Sequence, residues 1–216
     1  MVRDPRGVAN GTSISDVVIE PATPDRIPDL ARLFDQGADP RWCWCAWYRV
    51  RSIDFRTATP AANRHVLEAA AVTTAREGRA PGLVAYRDAE PVGWVSVGPR
   101  EDYERLEHSN VLGRVDDRPV WSIVCFVVAR RSRGQGIATA LLSAAIDYAR
   151  DHGATLLEAY PVDAADGRVS TAAAFKGTLT MFERAGFKVV ERRRANSASA
   201  ERPIVRRSIR RRRRSP

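Results

Sequence analysis

The 216-residue chain has no apolar run near the roughly 18 residues that cross a bilayer. That excludes the helical membrane-spanning class. Its first residues, MVRDPRGVANGTSISD, lack the apolar stretch of a secretory signal, so the expected location is the cytoplasm. Cysteine is scarce: there are three, an odd number, and Cys43 and Cys45 stand two apart, which argues against a disulfide framework. Ligand spacing for a metal is missing as well. No second cysteine pair or close histidine pair joins Cys43 and Cys45, and His65, His108 and His152 are scattered singly, so no metal is expected. Neither nucleotide signature occurs, because G-x-x-x-x-G-K-[ST] is absent and the glycine spacing is not G-x-G-x-x-G. No internal repeat is visible.

The length suits one domain with a sizeable core, and a hydrophobic fraction of 44% fits a folded globular chain. The net charge of +9 is unevenly placed: RRSIRRRRRSP, from Arg206 onward, holds seven arginines and no acid. The expected division is a flexible leader over residues 1–14, a domain over 15–205 and a disordered arginine-rich tail over 206–216. Such a tail can bind phosphates non-specifically, which gives an alternative reading: a nucleic-acid-associated protein acting through its tail. No aromatic residue interleaves the arginines there, which argues against specific recognition.

Alternation predicts a strand over Ser15 to Thr23, then a helix with Thr23 as cap, a stripe of Ile27, Leu30, Leu33 and Phe34, and a stop at Gly37. A second helix is predicted from Thr59, with Val66, Leu67 and Ala70 on one side and Gly78 beyond its end. Gly82 to Gly98 reads as a hairpin turning at Arg87 to Pro91. PVWSIVCFVVA, Pro119 to Ala129, is nearly all apolar, as a strand buried on both faces would be. After it, Ile137, Leu141, Leu142, Ala145, Ile146 and Ala149 recur at helical spacing. ATLLEAYPV is a further strand, Thr178 to Arg184 a short helix, and FKVVERR and PIVRRSI are strands. Core packing is the expected role of Trp94 and Trp121.

Between the apolar strand and the long helix stands RRSRGQG. A buried strand turning through glycines into a helix gathers unpaired N–H groups and the positive helix end, which makes an anion site open to backbone approach. Here Arg133-Gly134-Gln135-Gly136-Ile137-Ala138 is complete at every defined position of the cofactor motif of the Gcn5-related N-acetyltransferase (GNAT) superfamily, which the chain resembles from about Ser15 to Val205. The CFVV strand before the motif, the ALL run after it and the MFERAGF helix occur in the family's order. The resemblance implies an α/β fold, with a mixed central sheet of about six to seven strands flanked by helices on both faces. It also implies acetyl-coenzyme A as co-substrate. The backbone of Phe126, Val127 and Val128 would then pair with the pantetheine arm, and Arg133, Gly134, Gln135, Gly136, Ile137, Ala138 and Thr139 would hold the pyrophosphate. Arg130 and Arg131 would serve the adenosine phosphate or stay solvated.

Transfer to an amine needs a proton acceptor, a polarised carbonyl and a proton for the thiolate. Glu158, among apolar neighbours in LLEAYP, is the expected base; its other reading is a structural carboxylate. The Val128 N–H is expected to polarise the carbonyl. The family's frequent tyrosine donor is replaced by Phe182 and its asparagine by Phe175, so either another group acts, with Tyr160 a stand-in or else a core residue, or the thiolate takes its proton from water. In RWCWCAWYRV, Trp42, Trp44, Trp47 and Tyr48 either line the acceptor site or plug the core. Glu101, Asp102, Asp116 and Asp117 form an acidic group beyond the hairpin, with two readings: a loop kept soluble by its charge, as loops usually are, or a lure for a cationic acceptor. The amine itself, on a small molecule or a protein, and the oligomeric state are left open.

Overall fold

A computed structural model describes residues 16–36, 39–163 and 175–209. Seven strands form one sheet: β1 (Val18–Pro21), β2 (Gly82–Arg87), β3 (Glu90–Pro99), β4 (Trp121–Val128), β5 (Leu156–Ala159), β6 (Lys188–Arg193) and β7 (Arg202–Ser208). Their order is β1-β2-β3-β4-β5-β7-β6. All neighbours are antiparallel except β4 and β5, which run parallel. The helices are α1 (Ile27–Phe34), α2 (Asp39–Cys43), α3 (Ala46–Arg49), α4 (Ser52–Thr57), α5 (Pro60–Arg76), α6 (Glu104–Glu107), α7 (Ile137–Asp151) and α8 (Leu179–Arg184).

Adjacent residues of β3 show how the layers stack. A side chain at Gly93 would meet Ile137 Cγ2 at 2.7 Å and Leu141 Cδ1 at 2.9 Å, so α7 lies directly on that face. Trp94 points the other way and meets the Phe34 ring of α1 edge-on at 6.4 Å. The period-two alternation of a strand thus places one helix on each face of the sheet. On α7 the stripe of Ile137, Leu141, Leu142, Ala145, Ile146 and Ala149 is buried as its spacing predicts. Each of its larger side chains contributes on the order of 1.5–3 kcal/mol. The hairpin turns through Asp88 and Ala89, both in the left-handed region at φ 50° and 62°. That is the backbone a two-residue hairpin demands even without glycine.

Several expected boundaries shift. The first strand is shorter than Ser15 to Thr23, and the expected stop at Gly37 lies outside the described residues. Helix α5 buries Asn63, Leu67, Ala71 and Thr74, a face rotated from the Val66, Leu67 and Ala70 side. The rotation follows from Asn63, whose side-chain amide donates to the Trp42 carbonyl at 2.9 Å and must face the protein. The tail boundary also needs correction. Strand β7 runs to Ser208, Arg206 is buried and Ile209 closes onto Thr155, so the sheet extends past the expected limit at Val205. The leader up to Ser15 and the remaining arginines from Arg210 lie outside the described residues.

Candidate active site

Strand β4 is where the site is built. Its register against β3 slips between Ser96 and Val97, leaving Val124 as an extra residue, and such a bulge bends a strand and re-aims the residues after it. On its other side β4 pairs with β5 through only three residues, Trp121 to Ile123. Beyond Ile123 the two parallel strands part. The Ala129 N–H donates to Val92 at 2.9 Å, so in antiparallel alternation Val127, opposite Trp94, also exchanges its bonds with β3. Phe126 and Val128 therefore turn their backbone groups to the open edge. The Val127 backbone faces β3, contrary to the expected cofactor role. The Phe126 N–H is already taken, since it donates to the Phe175 carbonyl at 2.6 Å.

Side chains of this one segment wall two cavities. A cleft of about 350 Å³ is lined by Phe126 and Val128, by Ser132, Arg133 and Gly134, by Gly136 to Thr139, and by Phe175 and Gly177. Gly134 and Gly136 have φ of 73° and 79°, values that favour glycine. A Cβ at Gly134 would meet no protein atom within 4 Å, so the space before this backbone is open. Four N–H groups at the start of α7 have no partner within the helix. The cleft combines them with an open strand edge, which fits a diphosphate carried on an amide-containing arm. Gln135 is the exception among the motif residues: its side chain accepts from Arg87 Nη1 at 2.6 Å and donates to the Arg131 carbonyl at 3.0 Å, bracing the turn from behind. Arg133 Nε reaches the Val128 carbonyl at 3.3 Å.

Cys125 and Val127 face a second cavity, of about 430 Å³, completed by Pro40, Trp42, Cys43, Cys45, Trp47, Tyr48, Phe55, Phe175 and Lys176. Phe175 borders both cavities. Three of the four aromatic residues of RWCWCAWYRV line this second one; Trp44 does not, being buried edge-on against Phe34 at 5.2 Å with Arg64 over its outer face. Trp44 and Cys45 are consecutive left-handed residues, φ 48° and 54°, and this turn sends Trp44 into the core while Trp42 and Trp47 stay at the cavity. Cys45 Sγ donates to Cys125 Sγ at 2.9 Å and receives Trp94 Nε1 at 3.1 Å. The thiol contact and burial push the Cys125 thiol well up, so it lines the cavity as a neutral group. The Tyr48 hydroxyl is buried without a hydrogen-bond partner, and burial raises its pKa far above the ordinary phenol value.

Lys176 is the residue the sequence reading missed. It is one of two lysines among 35 basic residues, and that rarity was the available signal. Its Nζ lies 5.3 Å from the Trp47 ring centre. Burial, followed by the nearby Arg202 charge, lowers its pKa to about 8.

Glu158 and Tyr160 stand elsewhere. Glu158 is fully buried; Oε1 accepts from Arg100 Nη1 at 2.7 Å and from the Tyr160 hydroxyl at 2.5 Å, and Oε2 accepts from Arg206 Nε at 2.7 Å. Neither residue lines the two cavities. Both carboxylate oxygens are committed to protein donors, which removes Glu158 from the position of a base, and Tyr160 directs its own proton to Glu158. Burial and the adjacent carboxylate raise the Tyr160 pKa well above the usual phenol value. Phe182 is also buried, edge-on to Phe126 and Phe187.

A mixed sheet splayed at β4 and β5, with a glycine turn opening a helix beneath the splay, is the arrangement of an acyltransferase fold. The model of the Acetyltransferase (GNAT) family matches residues 42–172, and the chain belongs to that family. Solved structures agree in fold. An agmatine N-acetyltransferase, a mutant in its apo form, aligns at 12% identity and TM-score 0.57 over 90% of this chain and all of its own. A ribosomal-protein-alanine N-acetyltransferase from Brucella melitensis aligns at 20% identity and TM-score 0.52, over 89% of this chain and 99% of its own. A GCN5-related N-acetyltransferase from Kribbella flavida aligns at 17% and 0.52, over 91% of this chain and all of its own. The sequence matches none of the curated proteins.

Proposed function

We propose that this N-acetyltransferase moves an acetyl group from acetyl-coenzyme A to a primary amine seated in the aromatic cavity. The observation that carries the reading is the double use of β4. Phe126 and Val128 wall the cleft, Cys125 and Val127 wall the aromatic cavity, and the two spaces meet across Phe175. Acetyl-coenzyme A supplies the activated thioester. Val128 would present its N–H at the open edge to the thioester carbonyl, where a preorganised donor in a water-poor site has its largest effect. Gly134 and Gly136 to Thr139 would hold the phosphates, with Arg133 beside them.

Proton handling falls to Lys176 rather than to Glu158 or Tyr160. An amine attacks only after it has lost its proton, and Lys176 lines the aromatic cavity with a pKa lowered by burial to about 8. Neutral Nζ accepts the acceptor's proton. Once protonated, with a pKa of about 8, it is a donor matched in strength to a thiolate, whose conjugate thiol titrates near about 8.5. This supplies the acid that Phe182 cannot.

Calorimetric titration of acetyl-coenzyme A into the full chain tests the cofactor assignment. Saturable binding, stronger than that of ADP, is expected; no binding would contradict it.

A further inference from the structure

Behind the aromatic cavity lies another, of about 440 Å³, which shares Trp47 and Lys176 with it and is also lined by Ser52, Arg105, His108 and Arg202. Among the described residues, no aspartate or glutamate lines either space. Arg105 is 8% exposed. Its Nε donates to the Trp47 carbonyl and its Nη1 to Ser52 Oγ at 2.5 Å, while its guanidinium stacks on the Trp47 ring at 4.1 Å. Nη2 is buried without a partner, and among the described residues no carboxylate pairs with Arg105. A buried guanidinium normally has such a counter-charge, because leaving one arm desolvated and unbonded is costly. Burial lowers the Arg105 pKa, in keeping with this lack.

We infer that this cavity holds an anionic group of the acceptor, a carboxylate or a phosphate, so that the substrate is an apolar or aromatic amine with an acidic end. The assignment to the acceptor rests on the transferase reading. Arg105 and Arg202 place positive charge in this cavity, Trp42, Trp47 and Phe55 enclose the body, and β4 lies where the amine reacts. Three of the four acids that the sequence offered as a lure for a cation are engaged elsewhere. Asp102 pairs with Arg79 at 2.5 and 2.9 Å, Glu101 with Arg114 at 3.1 Å and Asp116 with Arg206 at 2.7 Å.

The test titrates benzoate, phenyl phosphate and benzylamine into the full chain while following the Trp47 indole resonance, assigned from a Trp47→Phe variant. Benzoate or phenyl phosphate should shift it saturably, and benzylamine should bind about tenfold or more weakly. The tighter of the two anions tells which acidic group is carried. Arg105→Gln should weaken the anion by about tenfold; since Arg105 also holds the Trp47 carbonyl, Arg202→Gln, at a half-exposed position, gives the same reading should that variant unfold. Equal binding of benzylamine, or no anion-dependent shift, would overturn the inference. Acetyl-coenzyme A titrated into the same sample separates the two claims. Its binding without the anion's would sink the acidic acceptor alone, and the anion's binding without it would sink the transferase reading while leaving an anion site.

Discussion

The surroundings of Glu158 and those of Tyr48 and Arg105 are both buried, both polar and built in opposite ways. Arg100 engages all five of its N–H donors: Nε on Glu107, Nη1 on Glu158 and Tyr160, and Nη2 on the carbonyls of Leu106 and Leu112. Arg206 closes the other side, joining Glu158 to Asp116. Around the cavities polar groups stay unpaired. The Tyr48 hydroxyl and Arg105 Nη2 have no partner, and Arg87, which braces the glycine turn through Gln135, keeps two nitrogens unbonded. Arg87, and Arg49 with its guanidinium over the Tyr103 ring, are not among the residues that line these spaces. Closed polar networks hold a fold together; open ones wait for a ligand.

Breaking the closed network should have the largest effect. Glu158→Gln leaves Arg100 and Arg206 facing each other without the charge between them, and removing one partner of a buried pair costs about 3–5 kcal/mol. Denaturant unfolding should show this loss, with acetyl-coenzyme A affinity of the folded fraction kept. At the open site, Lys176→Met should lower kcat about a hundredfold or more with little change in stability, measured by thiol release under saturating amine. The wild-type kcat/KM should rise about tenfold between pH 7 and 9: with a Lys176 pKa of about 8, the neutral form grows from about a tenth to about nine-tenths of the population. A flat profile would remove Lys176 from the chemistry. The tryptophans sharpen the contrast further. Trp44→Ala should cost about 3–5 kcal/mol, whereas Trp42→Ala, 39% exposed, should change stability by less than about 1 kcal/mol and raise the acceptor KM.

What the sequence made legible was local. The apolar run of β4, the 3.6-residue stripe of α7 and the RGQG turn each carry their signal within about a dozen residues, and they set the sheet, the splay and the cleft. What it hid was pairing at a distance. Glu158 looked like a base because only its strand neighbours were visible; Arg100 and Arg206 stand 58 and 48 residues away. Arg206 looked like part of a tail for the same reason, since a charged residue advertises solvent until its partner is known. Lys176 carries no motif, and Trp42 and Trp44 differ only in the left-handed turn that separates their fates.

The cleft beside β4 and the glycine turn is where acetyl-coenzyme A is proposed to bind. Titrating acetyl-coenzyme A by calorimetry into the full chain and into Gly134→Val tests it most directly. A branched side chain at φ 73° both strains the turn and fills the open approach. The account predicts saturable binding to the first and about tenfold or more weaker binding to the second; equal affinity for both would contradict it.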